Sequence, residues 1–311
     1  MNWETLRVVV TGGAGFLGRV LCAKLTERGC RHVLVPQHSA YELTQADAVE
    51  RMYHDLQPDV VFHLAAEVGG IGANRKRPGR FFYANMAMGL NLIEQARKSG
   101  LKKFIHTGTV CAYPKFTPVP FQESNLWNGY PEETNAPYGV AKKALFVMLD
   151  AYQQEYGLES VVVVPVNLYG PGDNFDSASS HVIPALIRKC VEAVQNQAPS
   201  ITCWGTGQAS REFLYVDDAA EAIIRAAERL SKPVPINIGT GSEISIRELV
   251  QLIAAKTGFG GAILWDDSHP DGQPRRCLDV SRAKVQLDWH ASVSFETGLQ
   301  KTIDWYTAHQ S

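Results

Sequence analysis

Tyr138 and Lys142 stand four residues apart in the segment Asn135-Ala136-Pro137-Tyr138-Gly139-Val140-Ala141-Lys142. On a helix that spacing puts both on one face. An ammonium beside a phenol favours the phenolate and lowers the tyrosine pKa toward working pH, as a proton donor to a carbonyl oxygen requires. Thr109, just past the apolar run Lys103 to Thr107, brings a hydroxyl that can donate to the same oxygen. A second chemical feature lies near the start, where Gly12-x-x-Gly15-x-x-Gly18 breaks the run Leu6 to Thr11 and leads into helical spacing from Arg19 to Arg28. Gly12 permits the tight turn, Gly15 lets backbone approach a pyrophosphate, and Gly18 lets helix pack on strand. The helix N-terminus, with Phe16 and Leu17, attracts the anion. A carbonyl-directed acid and a dinucleotide cradle together imply hydride chemistry with a nicotinamide cofactor.

In such cradles an Asp or Glu at the end of the second strand accepts from the adenosine 2′-hydroxyl. Here Val35-Pro36-Gln37-His38-Ser39 holds no acid before Glu42. His38 and Ser39 can donate to a 2′-phosphate, so NADP(H) is favoured over NAD(H).

The elements that must position these groups alternate. Strands are predicted at His32 to Val35, Val60 to Leu64, Lys103 to Thr107 and Ser160 to Val164. Helices are predicted at Ala46 to Leu56, Met86 to Ser99 and Tyr138 to Tyr156. Strands apolar on both faces that alternate with helices argue for an α/β fold with a Rossmann-type doubly wound parallel sheet. Beyond Val166 come loops rich in Gly, Asn, Asp and Ser, then an amphipathic helix from about Ile183 to Gln195. The run Phe213 to Val216 and a helix from Asp217 to Arg229 restore the α/β texture. A dinucleotide-binding domain of residues 1–166 plus about 213–240 is expected. A smaller mixed α/β substrate domain would take about 167–212 plus 241–311.

Composition narrows the class. The chain has 311 residues, 45% hydrophobic and 20% charged, with a formal charge of −2. That is a globular profile, with no call for disorder, nucleic acid or a coiled coil. Apolar runs such as Val161 to Val166 are too short to cross a bilayer, and Met-Asn-Trp-Glu lacks a basic, apolar leader. A soluble cytoplasmic protein without membrane contact is expected. Six cysteines at 22, 30, 111, 190, 203 and 277 form no CxxC pair, so neither disulfides nor a metal site is expected.

Longer segments carry a resemblance. Val68-Gly69-Gly70-Ile71, Val110-Cys111-Ala112-Tyr113-Pro114-Lys115, Asn167-Leu168-Tyr169-Gly170-Pro171, Ser180-His181-Val182-Ile183-Pro184-Ala185-Leu186, Trp204-Gly205-Thr206-Gly207 and Arg211-Glu212-Phe213-Leu214 join the motifs above. Over nearly its whole length the chain resembles the extended short-chain dehydrogenase/reductase family. Within that family it is similar to the dual epimerase/reductases of GDP-linked 4-keto-6-deoxy sugars.

The resemblance implies 3,5-epimerisation of GDP-4-keto-6-deoxy-D-mannose followed by NADPH-dependent reduction at C4, giving GDP-L-fucose. Inversion removes a proton α to the ketone and returns one on the opposite face. By resemblance Cys111 is the base and His181 the acid, both groups that modest tuning brings near neutrality. Thr109, Tyr138 and Lys142 then serve the carbonyl in both reactions. Leu64, Ala65, Ala66, Pro165, Asn167, Leu168 and His181 would line the cofactor. Val68, Gly69, Cys111, Asn167, Val182, Lys189, Trp204, Arg211 and Arg276 would meet the substrate, the cations on its diphosphate. A homodimer joined through the long helices 86–99 and 138–156 is implied.

Departures leave alternatives open. Thr109-Val110 replaces a usual Ser-Ser, the glycine loop lacks an arginine seen in some members, and Glu67 stands where a basic residue is common. A related enzyme acting on another GDP-linked sugar, by reduction, epimerisation or dehydrogenation, is the second reading. A dinucleotide-sensing protein without turnover is the third.

Overall fold

Valine and isoleucine runs that are apolar on both faces have one stable place, the middle of a covered parallel sheet. The computed structural model describes residues 1–309 apart from 178 and 270. In it, β1 (Arg7–Thr11), β2 (His32–Leu34), β3 (Val60–His63), β4 (Lys103–Thr107), β5 (Ser160–Pro165) and a later strand, Ile236–Ile238, form one six-stranded sheet. Its order is β2-β1-β3-β4-β5 and then the strand Ile236–Ile238, with every pairing parallel. Val8 to Val10, Val60 to Phe62 and Val161 to Val164 have no exposed surface.

The flanking helices are α1 (Phe16–Glu27), α2 (Ala46–Leu56), α4 (Pro78–Ser99), α5 (Ala136–Tyr156) and α7 (Val216–Arg229); the short α3 (Ile71–Lys76) packs on α4, and α6 (Val182–Gln195) lies outside this layer. α1 packs on α7, while α4 packs between α2 and α5. Helix α4 begins at Pro78, eight residues before the predicted start, because a proline in the first turn needs no amide partner.

The strand expected at 213–216 spans Ser210–Tyr215 and does not join the large sheet. With β6 (Asn167–Tyr169), β7 (Ser200–Trp204) and β8 (Ser210–Tyr215) numbered along the chain, the strand Ile236–Ile238 is β9. β10 (Glu243–Ser245) and β11 (Ala262–Asp266) complete the set. β8 lies between β10 and β6 in a three-stranded sheet, and β11 pairs with β7. β6 follows β5 after a single residue and offers β8 a parallel edge, Asn167 opposite Phe213. A second apolar core, including Ile187, Phe213, Ile253 and Leu299, forms there with α6, α8 (Ile246–Thr257) and α10 (Phe295–Ala308); α9 (Ser281–Gln286) packs near β9. Among the described residues no helix is long and apolar enough to cross a membrane.

Candidate active site

At the end of β1 the chain turns at Gly12, whose φ of 74° is left-handed. A Cβ there would lie 2.8 Å from the Ala65 nitrogen, and one on Gly18 would lie 2.1 Å from the Gly12 carbonyl oxygen. Glycine therefore lets the loop, the Leu64-Ala65-Ala66 segment and the first turn of α1 meet backbone to backbone. Gly15 precedes α1, and Phe16 and Leu17 open it. The bare helix start and the cradle that a Cβ would close suit a pyrophosphate. The residues present fit a dinucleotide. Past β2, His38 and Ser39 are exposed, and His38 Nε2 lies 3.4 Å from the Glu42 carboxylate.

The reacting groups meet where α5 crosses the 3₁₀ turn Val110–Ala112. A Cβ on Gly139 would lie 2.2 Å from the Cys111 carbonyl oxygen, so this glycine sets how closely α5 approaches. The Tyr138 and Thr109 side chains share a hydrogen bond. Thr109 Oγ1 also accepts the Cys111 amide at 3.2 Å. Lys142, on the same helix, is 2% exposed.

The electrostatics reverse the sequence expectation. Burial and the neighbouring Cys111 push the Tyr138 phenol up, not down. Burial pulls the Lys142 ammonium down to about 7. A site this dry penalises phenolate and ammonium alike, and a lysine near its own midpoint exerts only part of a full charge on its neighbour. His63 and His106, with ring centroids 5.6 Å apart, are held below the ordinary histidine range by burial and by Lys142.

Arg276 joins the remaining groups. Its Nη1 donates to Cys111 Sγ at 3.8 Å and its Nε to Gln273 Oε1 at 3.2 Å. Gln273 in turn donates to the carbonyls of Pro114 and Lys115. His181 stands just ahead of α6 without a capping side-chain bond; burial and then the Arg276 charge hold its imidazole below 6.5. Arg211 donates to the Ser210 and Asp271 carbonyls at 2.7 and 2.8 Å. Burial, with Arg276 beside it, pulls Arg211 down to about 9. Both arginines are buried rather than solvated. Arg276, expected only on the diphosphate or sugar, also reaches the Cys111 sulfur.

Other expected residues border this centre. Pro165 ends β5, Asn167 and Leu168 open β6, and Asn167 Nδ2 donates to the Glu212 carbonyl at 3.1 Å. Val68 is exposed. Gly69 accepts from Asn74, while the Gly70 amide reaches Ser179, so this segment lies against the one leading to His181 and Val182. Lys189 is occupied, donating to the Thr202 carbonyl. Trp204 is 58% exposed and stacks on His269 with centroids 4.3 Å apart, which rules out a core role. Glu67 is answered by Arg80, whose Nε lies 2.8 Å away. Burial raises the other five cysteines, four of them buried and Cys22 half-buried.

The NAD dependent epimerase/dehydratase family model matches residues 8–239. The chain belongs to that family. This epimerase-family enzyme is 40% identical over 306 residues to a protein named GDP-L-fucose synthase 1 from Arabidopsis thaliana, covering 98% of this chain and 94% of that one. A solved GDP-6-OMe-4-keto-L-xylo-heptose reductase from C. jejuni superposes with a TM-score of 0.93 at 26% identity, covering 100% and 99% of the two chains. A GDP-L-fucose synthetase from Naegleria fowleri bound to NADP gives 0.88 at 26%, covering 98% and 95%.

Three residues of the enzyme carried no readable signal. Arg19 Nη1 donates to the Ala14 carbonyl at 3.1 Å and Nη2 to the Gly172 carbonyl at 2.9 Å, tying the glycine loop to the segment after β6. Asp271 accepts the Thr206 amide and hydroxyl at 2.8 and 2.6 Å. Gln273 supports Arg276. Each also meets a partner far along the chain, Gly172 for Arg19, Thr206 for Asp271 and Pro114 for Gln273, beyond the reach of any spacing rule.

Proposed function

We propose that the enzyme converts GDP-4-keto-6-deoxy-D-mannose to GDP-L-fucose with NADPH, inverting C3 and C5 and reducing C4. The observation that carries this reading is the gathering of Cys111, His181 and Arg276 beside the Thr109–Tyr138 pair. Reduction alone uses the pair; a thiol and an imidazole add the base and acid that carbon inversion needs. Cys111 takes the proton α to the ketone, and His181 returns one on the opposite face. Thr109 and Tyr138 donate to the oxygen that gains charge at each step, and Tyr138 then protonates it. Lys142, with a pKa of about 7, exchanges protons at working pH and so can resupply Tyr138. NADPH, when bound, supplies the hydride to C4.

Gly12, Gly15 and Gly18 hold its pyrophosphate, His38 and Ser39 its 2′-phosphate, and Pro165, Asn167 and Leu168 its nicotinamide end. The relative solved with NADP supports this choice. Arg211, Arg276 and Lys189 take the substrate diphosphate, Trp204 its base, and Val68, Gly69 and Val182 the sugar surroundings. The large-sheet core is the cofactor unit and the second core the nucleotide-sugar unit. A cytoplasmic homodimer is part of the same reading, supported by Tyr83, Leu90 and Val147, which leave apolar surface exposed on α4 and α5.

The test is purified protein in D2O with GDP-4-keto-6-deoxy-D-mannose and either NADPH or NADH, the product identified by NMR. GDP-L-fucose deuterated at C3 and C5 supports the reading, and Cys111→Ser should abolish that label. Turnover without label marks reduction alone and overturns the inversion. No turnover with either cofactor overturns this substrate and favours the second reading, a reaction on another GDP-linked keto sugar, to which the superposed heptose reductase points.

A further inference from the structure

Glu212 is a carboxylate with no exposed surface and, among the described residues, no lysine or arginine in ion-pair contact. Backbone amides satisfy it instead. Oε1 accepts from the Thr240 amide and, at 2.7 Å, from the Gly241 amide; Oε2 accepts from the Leu278 amide at 2.6 Å. A Cβ on Gly239 would lie 2.2 Å from Oε1, so glycine there leaves the carboxylate its room. The Glu212 backbone amide also donates to the Arg276 carbonyl at 3.0 Å. One residue of β8 is thus pinned to both sides of Cys277, through Arg276 and Leu278, and to the turn after β9.

The pinned positions are those beside the two buried arginines. Arg211 precedes Glu212 in the strand, and Arg276 carries the carbonyl its amide binds. The two guanidinium groups act on each other as like charges in a dry site, and such neighbours separate unless their backbones are fixed. We propose that Glu212 is a positioning residue that clamps Arg211 and Arg276 into a preformed receptor for a nucleotide diphosphate. This inference rests on the substrate class proposed above. Glu212 touches no substrate; its backbone and side-chain bonds set the spacing of the groups that do.

The test is calorimetric titration of the full-length protein with GDP and, separately, with NADPH. Glu212→Gln keeps the side chain's shape but turns an N–H donor toward an amide donor, which removes at least one anchor. GDP affinity should fall about tenfold while NADPH affinity stays within about twofold. KM for the GDP-sugar should rise in step with the loss of GDP affinity. Glu212→Asp keeps the charge with a shorter reach and should lose less; it is read by the same criteria if the glutamine variant does not fold. Unchanged GDP affinity in a folded variant overturns the clamp, as does a parallel loss of GDP and NADPH binding, which marks a general structural defect. Wild-type protein that binds NADPH but not GDP instead sinks the substrate class, and the clamp with it.

Discussion

Lys142 shows how burial governs chemistry at the residue scale. Its folded pKa of about 7 lies below its ordinary 10.5. Between those values the unfolded lysine is protonated and the folded one is largely not, so stability rises with pH through that window; below about 7 the cost of burying the charge is present in full. Lys142→Met removes this cost. Without added nucleotide, the variant should be the more stable at pH 7, and its advantage should shrink toward pH 10 by at most about 1.4 kcal/mol per pH unit. Urea melts at several pH values check this, and a pH-independent gap would refute it. Tyr138, Lys142 and Thr109 stood out as candidates only in context, with the glycine loop ahead of them and a strand leading into Thr109. The direction of the Tyr138 shift was not, because it depends on how much water the folded site admits, which a four-residue interval does not report.

Among the elements, the crossing of α5 over the turn Val110–Ala112 matters most. Gly139 leaves no clearance there: its added Cβ would meet the Cys111 carbonyl at 2.2 Å, a backbone atom that cannot swing aside. Gly139→Ala should therefore lift the helix, part Tyr138 from Thr109, and destabilise the protein by about 1 to 3 kcal/mol. Denaturant midpoints measure the stability loss, and ketone reduction should fall further than the unfolded fraction explains. The strands were legible where they are apolar on both faces. The start of α4 was not, because Arg77 to Tyr83 is largely exposed and lacks a continuous apolar stripe; Pro78 was the available signal. Which sheet β8 joins was not legible, because its β-forming residues suit either sheet and only the neighbouring edge of β6 decides between them.

At the scale of the whole molecule, α4 and α5 pack side by side yet leave Tyr83 and Val147 about half exposed, at 55% each. If this face joins two copies, Val147→Asp should shift the sedimentation coefficient from dimer to monomer, since an unpaired buried carboxylate costs about 3 kcal/mol or more. An unchanged dimer would place the interface elsewhere. The Arg19 tether has a different consequence, for recombination between relatives. Its guanidinium spans two carbonyls 158 residues apart, Ala14 and Gly172. Gly172 has a left-handed φ of 79°, and a Cβ there would come within 3.0 Å of Arg19 Nη2. Positions 19 and 172 therefore constrain each other across the join between the two cores. A chimera cut near residue 166 would inherit one half of the pair from each parent, so halves that fold well in their own contexts would disagree at this point, and the two residues should be exchanged together.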